Sequence, residues 1–394
     1  MKLDLKTLSG RLDSAITKDL EKRQFIGANC AVYCDSEPAY LHAFGFADEA
    51  SQRPMTPDTI FRIYSMTKPV TAAAVMQLTE RGVIHPDMPV GWILPEYKEL
   101  RVYGEDGNPR AASGELRIQH LLNMQSGFPY PNCITKTECD MASFFGKMEA
   151  VRDTDKAYTT REFARHVAAI PAEFDPGTHW KYGVSADILG ALVEVVTGMS
   201  YRDYLMQNIF EPLGMTETDF YVHKDKQERF ASAYEWVDGK LVHDTKCYLG
   251  LNDYLTLPAF ISGGAGLTST IEDYAKFANC LANGGTSREG VRILSPQSLE
   301  YIRTPQVTGE LFRQDQDWDS LRGYDYGALV RVLTDRKTAG TIASPGEFGW
   351  DGWTGTYFCV DPKERLTILF WIQVAGAGTS TTAKLVRNIV YGAL

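Results

Sequence analysis

The sequence predicts an α/β protein of the α+β type, an antiparallel sheet flanked by helices with a mostly helical segment inserted into it. Three observations carry this. Short strand-like runs with tight connections cluster at both chain ends, which favours antiparallel pairing. The stretch between them is patterned at helical spacing and punctuated by glycine and proline. The 394 residues also exceed what one hydrophobic core usually supports, so two packed regions are expected.

The chain opens with apolar and charged residues alternating at helical spacing over 4–23. Two strands follow at 28–35 and 39–46, joined by the turn Ser36-Glu37-Pro38. In the middle, helices are expected over 70–81, stopped by Gly82, over 160–169, stopped by Pro171, over 185–197, stopped by Gly198, and over 271–282, stopped by Gly284-Gly285. Near the end, strands are expected at 327–335, 355–360 and 366–373, with Asp361-Pro362-Lys363-Glu364 as a turn, before a closing helix over 381–394. The implied division is a sheet domain of 1–64 and 296–394 and a helical domain of 65–295, with a site in the cleft between them.

Composition narrows the function classes. A hydrophobic fraction of 44% with 23% charged residues is that of an ordinary globular protein and excludes disorder. A net charge of −10 with no dense Lys/Arg run offers nothing to a phosphate backbone, so nucleic acid is not an expected partner. No run reaches the roughly 18 apolar residues of a membrane span, and the N-terminus lacks the apolar core of a secretory signal, so a cytoplasmic location is expected. Seven cysteines, an odd number without a C-x-x-C pair, argue against a disulfide framework. Seven histidines without H-E-x-x-H spacing imply neither metal nor cofactor.

The chemical signal lies in Phe61-Arg-Ile-Tyr-Ser65-Met-Thr-Lys68-Pro69. Proline is tolerated only in the first turn of a helix, so a helix must begin near Ser65. The first-turn N–H groups then face any oxyanion formed on Ser65, and Lys68, three residues on, shares its face. A serine hydroxyl needs a neighbouring base, and a lysine serves once desolvation lowers its pKa. Asp187 and Glu194 read as solvated or capping positions on one helix, and the glycine-rich run 263–266 as a tight turn beside the site.

Together with Phe-Asp-Pro-Gly-Thr-His-Trp-Lys-Tyr182, Ile-Phe-Glu-Pro-Leu-Gly-Met-Thr-Glu-Thr at 209–218 and Ser-Gly-Gly-Ala-Gly-Leu-Thr-Ser-Thr at 262–270, the S-x-x-K at 65–68 resembles the class C β-lactamase and family VIII carboxylesterase group, co-linearly from about residue 20 to 375. The resemblance implies the fold shared by β-lactamases and penicillin-binding proteins, with Ser65 as nucleophile and Lys68 and Tyr182 sharing the proton work. The family's usual Tyr-x-Asn has a literal match at Tyr130-Pro131-Asn132. That match follows a loop similar to the family's loop after a buried helix, so Tyr182 is preferred and Tyr130 set aside.

Two departures from the lactamase pattern point to substrate. Val184 stands where an asparagine would bond a β-lactam side-chain amide. Trp350-Asp351-Gly352 stands where Lys-Thr-Gly would attract a substrate carboxylate, and resembles the Trp-x-Gly of family VIII esterases. By the same alignment Trp353 contributes an oxyanion N–H, Trp350 an apolar wall and Gly352 a close backbone approach. The expected function is hydrolysis of small carboxylic esters through an acyl-serine. β-Lactamase or D-alanyl-D-alanine carboxypeptidase activity is the alternative, acyl transfer a variant, and a relative that acylates once without turnover the non-enzymatic reading.

Overall fold

The computed structural model describes residues 3–308 and 321–394. Met1 and Lys2, which open the N-terminal pattern, and residues 309–320, within the second sheet segment, lie outside the described residues.

Eight strands form the main sheet: β1 (Gly27–Cys34), β2 (Glu37–Asp48), β3 (Arg53–Pro54), β4 (Tyr324–Tyr326), β5 (Arg331–Leu333), β6 (Phe348–Asp351), β7 (Thr356–Asp361) and β8 (Leu366–Trp371). Their spatial order is β4-β5-β6-β7-β8-β1-β2-β3, with every pairing antiparallel. The two chain ends meet at β1 and β8, in register from Asn29 opposite Trp371 to Cys34 opposite Leu366. These strands and β7 are nearly continuous apolar runs because both faces of the sheet are covered, whereas β2 alternates between buried and exposed residues.

One face packs on the N-terminal helix Leu5–Glu21 and the closing helix Thr381–Tyr391, through Leu8, Leu12 and Ile16 from the first and Val386 and Val390 from the second. The other face, with Phe358, Leu369 and Trp371, joins one large core that includes helices Thr67–Glu80, Ser185–Thr197 and Ile271–Ala282. Trp371 sits edge-on to Phe61 at 5.4 Å and to Tyr274 at 5.9 Å, pinning the strand before the nucleophile helix to the sheet.

Most boundaries follow the sequence signals. Ser185–Thr197 ends at Gly198 with φ of 69°, the left-handed cap that glycine adopts without penalty. Helix Thr160–Ala168 starts from a capping box of Thr159 and Glu162. The expected strand over 327–335 is instead two strands, Tyr324–Tyr326 and Arg331–Leu333, because the chain reverses between them with Leu329 at φ 59° and Gly327 N–H bonded to the Val330 carbonyl at 2.9 Å. Outside the main sheet, the described residues also hold three two-stranded ladders and helix Lys136–Val151, none of which the apolar pattern announces. No helix among the described residues is long and apolar enough to cross a membrane.

Trp371→Ala removes the largest side chain at the junction of sheet and nucleophile segment. It is expected to destabilise the protein by about 3–5 kcal/mol, read as a lower urea midpoint at an unchanged m-value.

Candidate active site

The strand-like pair Phe61–Arg62 runs antiparallel to Thr268–Ser269, after which the chain tightens into a 3₁₀ turn at Tyr64–Met66 and enters helix Thr67–Glu80. Pro69 falls in the first turn, where its missing N–H leaves no bond unmade. Tyr64 adopts φ of 41°, a left-handed conformation unusual for a tyrosine and held by the surrounding contacts. Different segments fix the backbone on either side. Gln373 and Thr354 bond the Arg62 carbonyl at 3.0 and 3.2 Å, Thr356 the Ile63 carbonyl at 3.3 Å, and the Tyr274 hydroxyl the Met66 carbonyl at 2.8 Å. Ser65 is thereby presented half-buried at a fixed position.

Lys68 is 0% exposed. Its Nζ lies 3.1 Å from Ser65 Oγ, 3.0 Å from Tyr130 Oη and 2.8 Å from the Gly264 carbonyl oxygen. Burial pushes this amine down to about 7, opposed by attraction to Asp187 and Asp351. A neutral amine has two N–H donors and one lone pair. The Gly264 carbonyl, which can only accept, takes one N–H, so one hydroxyl of Ser65 and Tyr130 takes the other and the lone pair faces the remaining one. When Tyr130 accepts, the lone pair is left for the Ser65 proton.

The glycine run explains how a carbonyl reaches the amine. A Cβ on Gly263 would lie 2.3 Å from the Ala186 carbonyl oxygen, and one on Gly264 would lie 2.7 Å from Asp187 Oδ2 and 3.1 Å from Tyr130 Oη. The loop is tied down by Thr71, whose hydroxyl donates to the Gly263 carbonyl at 2.6 Å, and by Asp187, which accepts from the Gly264 N–H at 3.0 Å and from the Ser262 hydroxyl. Asp187 is therefore not a solvated position: it is 3% exposed, beneath the site, and burial raises its pKa. Glu194 does cap, accepting from the Tyr201 N–H at 3.1 Å.

Tyr130 and Tyr182 come from segments paired antiparallel through Pro129 and Gly183. The pairing is close enough that a Cβ on Gly183 would lie 1.9 Å from the Phe128 carbonyl oxygen. It sets the two rings side by side, 5.5 Å between centroids. The tyrosine set aside on motif grounds thus bonds Lys68, while the Tyr182 hydroxyl accepts from Trp350 Nε1 at 3.1 Å and the Ser65 hydroxyl offsets part of the rise that burial imposes on its phenol. Lys68 Nζ also lies 4.5 Å from the Tyr182 ring centroid. Burial raises both phenols. Sequence reasoning named Tyr130 and set it aside because the pairing that brings it in spans more than fifty residues of chain; Gly183, directly after Tyr182, was the available signal.

Trp350 is buried against Tyr182 and Tyr326, with centroids at 5.5 and 5.4 Å. The close approach that Gly352 permits is to protein: a Cβ would lie 2.2 Å from Thr356 Oγ1 and 2.4 Å from the Ile63 carbonyl oxygen, so the β6–β7 turn lies directly against the segment leading into Ser65. Trp353 follows, 46% exposed, its ring 6.0 Å from that of Tyr248. Among the described residues, neither the Ser65 nor the Trp353 backbone N–H bonds a protein acceptor. Val184 is buried in the core, its N–H bonded to the Phe128 carbonyl at 3.1 Å, so its side chain lines packing. No group of three or more potential metal ligands occurs among the described residues.

Comparison with known proteins gives concordant results. The family model described as Beta-lactamase matches residues 12–390. The chain is 30% identical to esterase EstB of Burkholderia gladioli over 410 residues, covering 99% of this chain and 96% of that protein. It is also 30% identical over 388 residues to an uncharacterized protein of Mycobacterium tuberculosis, covering 91% of each. Among solved structures, EstCE1, a hydrolase with promiscuous acyltransferase activity, superposes with a TM-score of 0.84 at 23% identity over 98% of this chain and 99% of that one. Simvastatin synthase of Aspergillus terreus superposes with a TM-score of 0.80 at 25% identity over 98% and 97%. With the match spanning nearly its whole length, the chain belongs to the beta-lactamase family and is a serine hydrolase.

Proposed function

We propose that the protein hydrolyses small neutral carboxylic esters through an acyl-Ser65 intermediate, with Lys68 as the base that activates the nucleophile. The observation that carries this is the fully buried Lys68 amine, pushed down to about 7, with Nζ 3.1 Å from Ser65 Oγ. An amine neutral near physiological pH accepts the Ser65 proton as Oγ attacks the ester carbonyl carbon. The phenols, raised by burial, stay protonated and are not the first base. The N–H groups of Ser65 and Trp353 receive the developing oxyanion. As the C–O bond to the alcohol breaks, the Lys68 ammonium and the Tyr182 phenol together return the proton to the leaving alkoxide. Water then attacks the acyl-serine, its proton following the same route, and the acid leaves. An alcohol in place of water gives acyl transfer, the activity in the description of EstCE1.

The walls favour a neutral, apolar substrate. Among the described residues Tyr130, Tyr182, Trp353 and Tyr248 bring aromatic rings to the site, and Trp350, which stands in the position of the lactamase lysine, is buried behind Tyr182. The seven cysteines, all free, support a cytoplasmic location.

Purified protein is expected to turn over short-chain p-nitrophenyl esters faster than a chromogenic cephalosporin, and Ser65→Ala to lower kcat/KM by at least about 10³-fold. Retained turnover in that variant, or a preference for the cephalosporin, overturns the reading. Because the reactive amine is neutral, kcat/KM is expected to fall on the acid side with a midpoint near the Lys68 value of about 7. The Asp187 carboxylate favours the ammonium, so its removal lowers the amine pKa further. Asp187→Asn is therefore expected to move the acid limb of the pH–rate profile to lower pH, measured on the same ester.

A further inference from the structure

We propose that Asp351 is a positioning residue for the oxyanion hole: it pins the segment leading into the closing helix over the β6–β7 turn and so holds Trp353 in place. The proposal rests on the esterase reading of the site. Successive residues of β6 face opposite sides of the sheet. Phe348 and Trp350 join the large core that contains the nucleophile helix, whereas Asp351 stands opposite Tyr357, which joins the core beneath the two terminal helices. The carboxylate therefore lies behind the Trp350-Asp351-Gly352 run, on the side where the closing helix begins.

Two groups meet it there. Arg331 pairs with Gly349, which makes it a diagonal neighbour of Asp351 on the same face, and its Nη1 lies 3.9 Å from Asp351 Oδ2. This guanidinium is buried, its Cζ 4.9 Å from the Tyr357 ring centroid and 5.6 Å from that of Tyr324, so the carboxylate compensates a charge that water does not reach. From the other side the Thr379 hydroxyl donates to the same Oδ2, and a Cβ on Gly378 would lie 3.6 Å from it.

The Thr379 bond closes a loop over the turn. The N–H groups of Ile372 and Val374 donate to the carbonyls of Gly355 and Thr354 at 3.4 and 2.8 Å, which fixes the near end of the loop. In its middle, Gly376 lies against the Trp353 indole, where a Cβ would be 3.7 Å from Cη2. Trp353 is thus bounded by this loop on one side and by the Tyr248 ring on the other. Gly376 and Gly378 adopt φ of 77° and 48°, so the far end of the loop runs through two left-handed glycines before the Thr379 bond secures it. Releasing that bond frees the loop to move off the indole, and the backbone N–H of Trp353 loses its fixed direction toward an oxyanion on Ser65.

The test is ester kinetics and hydrogen exchange on variants of the whole protein. Thr379→Val removes the hydroxyl and leaves the carboxylate. It is expected to lower kcat at least about fivefold with KM within about twofold, because an oxyanion donor acts only once the charge has formed. The acid limb of its pH–rate profile stays in place. Thr379→Ser is expected to restore the parental kcat. Asp351→Ala is expected to show the same loss and also to move the acid limb to lower pH, since Asp351 and Asp187 are the carboxylates that favour the Lys68 ammonium. The double variant is expected to lose no more kcat than Asp351→Ala alone, because both changes break one bond. Exchange in peptides over 372–378, read by mass spectrometry, is expected to quicken in Thr379→Val and not in Thr379→Ser. Parental kcat or parental exchange in Thr379→Val, equal losses in the Val and Ser variants, or additive losses in the double variant overturns the proposal. Where Asp351→Ala does not fold, the two Thr379 variants decide. A parent protein without ester turnover overturns the esterase reading, and the exchange readout then still judges the pin.

Discussion

An amine held out of water is the constraint on which the site depends. A buried lysine cannot keep its charge cheaply, and Lys68 has no exposed surface with which to solvate it. What the fold offers in place of water is two hydroxyls and one carbonyl. That set suits a neutral amine, which needs acceptors for two hydrogens and a donor for its lone pair, and it also receives the ammonium once a proton arrives, since all three neighbours can accept. Asp187 and Asp351 temper the desolvation by favouring the charged form. The base is thus poised where both of its protonation states are accessible, which a surface lysine or a lysine facing a close carboxylate would not be.

Holding that amine beside a hydroxyl requires the nucleophile turn to be rigid, and the rigidity comes from chain segments remote in sequence. The two termini pair at β1 and β8, and Gln373, just past β8, grips both the N–H and the carbonyl of Arg62. The β6–β7 turn reaches the same place through Thr354, Thr356 and the absent side chain of Gly352. Tyr64 keeps its left-handed conformation inside this clamp. A strained residue directly before a nucleophile survives only where neighbours over-determine it, and the sheet provides those neighbours.

How much of this the sequence disclosed follows from how local each signal is. The Pro69 rule placed the start of the helix and hence the juxtaposition of Ser65 and Lys68, because both depend on one turn of backbone. Gly198 and the 271–282 spacing marked helices for the same reason. The hairpin Ala233–Val237 and Lys240–Asp244 was equally local, its Asp238-Gly239 turn having both residues at positive φ, and that pair could have been read as a turn signal. Helix Lys136–Val151 was concealed by polar residues on its exposed side, although Thr135 with Glu138 spelled a capping box. Asp187 was misjudged because a carboxylate in a first helical turn looks like a cap until the chain from 262 to 264 closes over it. Tyr130 was lost to the same blindness to long-range pairing.

The two tyrosines show why a motif and a site are different things. A three-letter pattern encodes the spacing of one segment, while a proton-transfer site is set by which hydroxyl meets which heteroatom in space. Tyr182 is steered by the Trp350 indole, whereas Tyr130 meets Lys68 and decides where its lone pair points. Both phenols address the same nitrogen, Tyr130 through its hydroxyl and Tyr182 through its ring face. Both are positioned by one backbone pairing at Pro129 and Gly183, which tolerates no side chain at 183. A glycine that admits that pairing contributes to the chemistry as surely as the phenols do, because without the close approach there is no shared wall on which they stand.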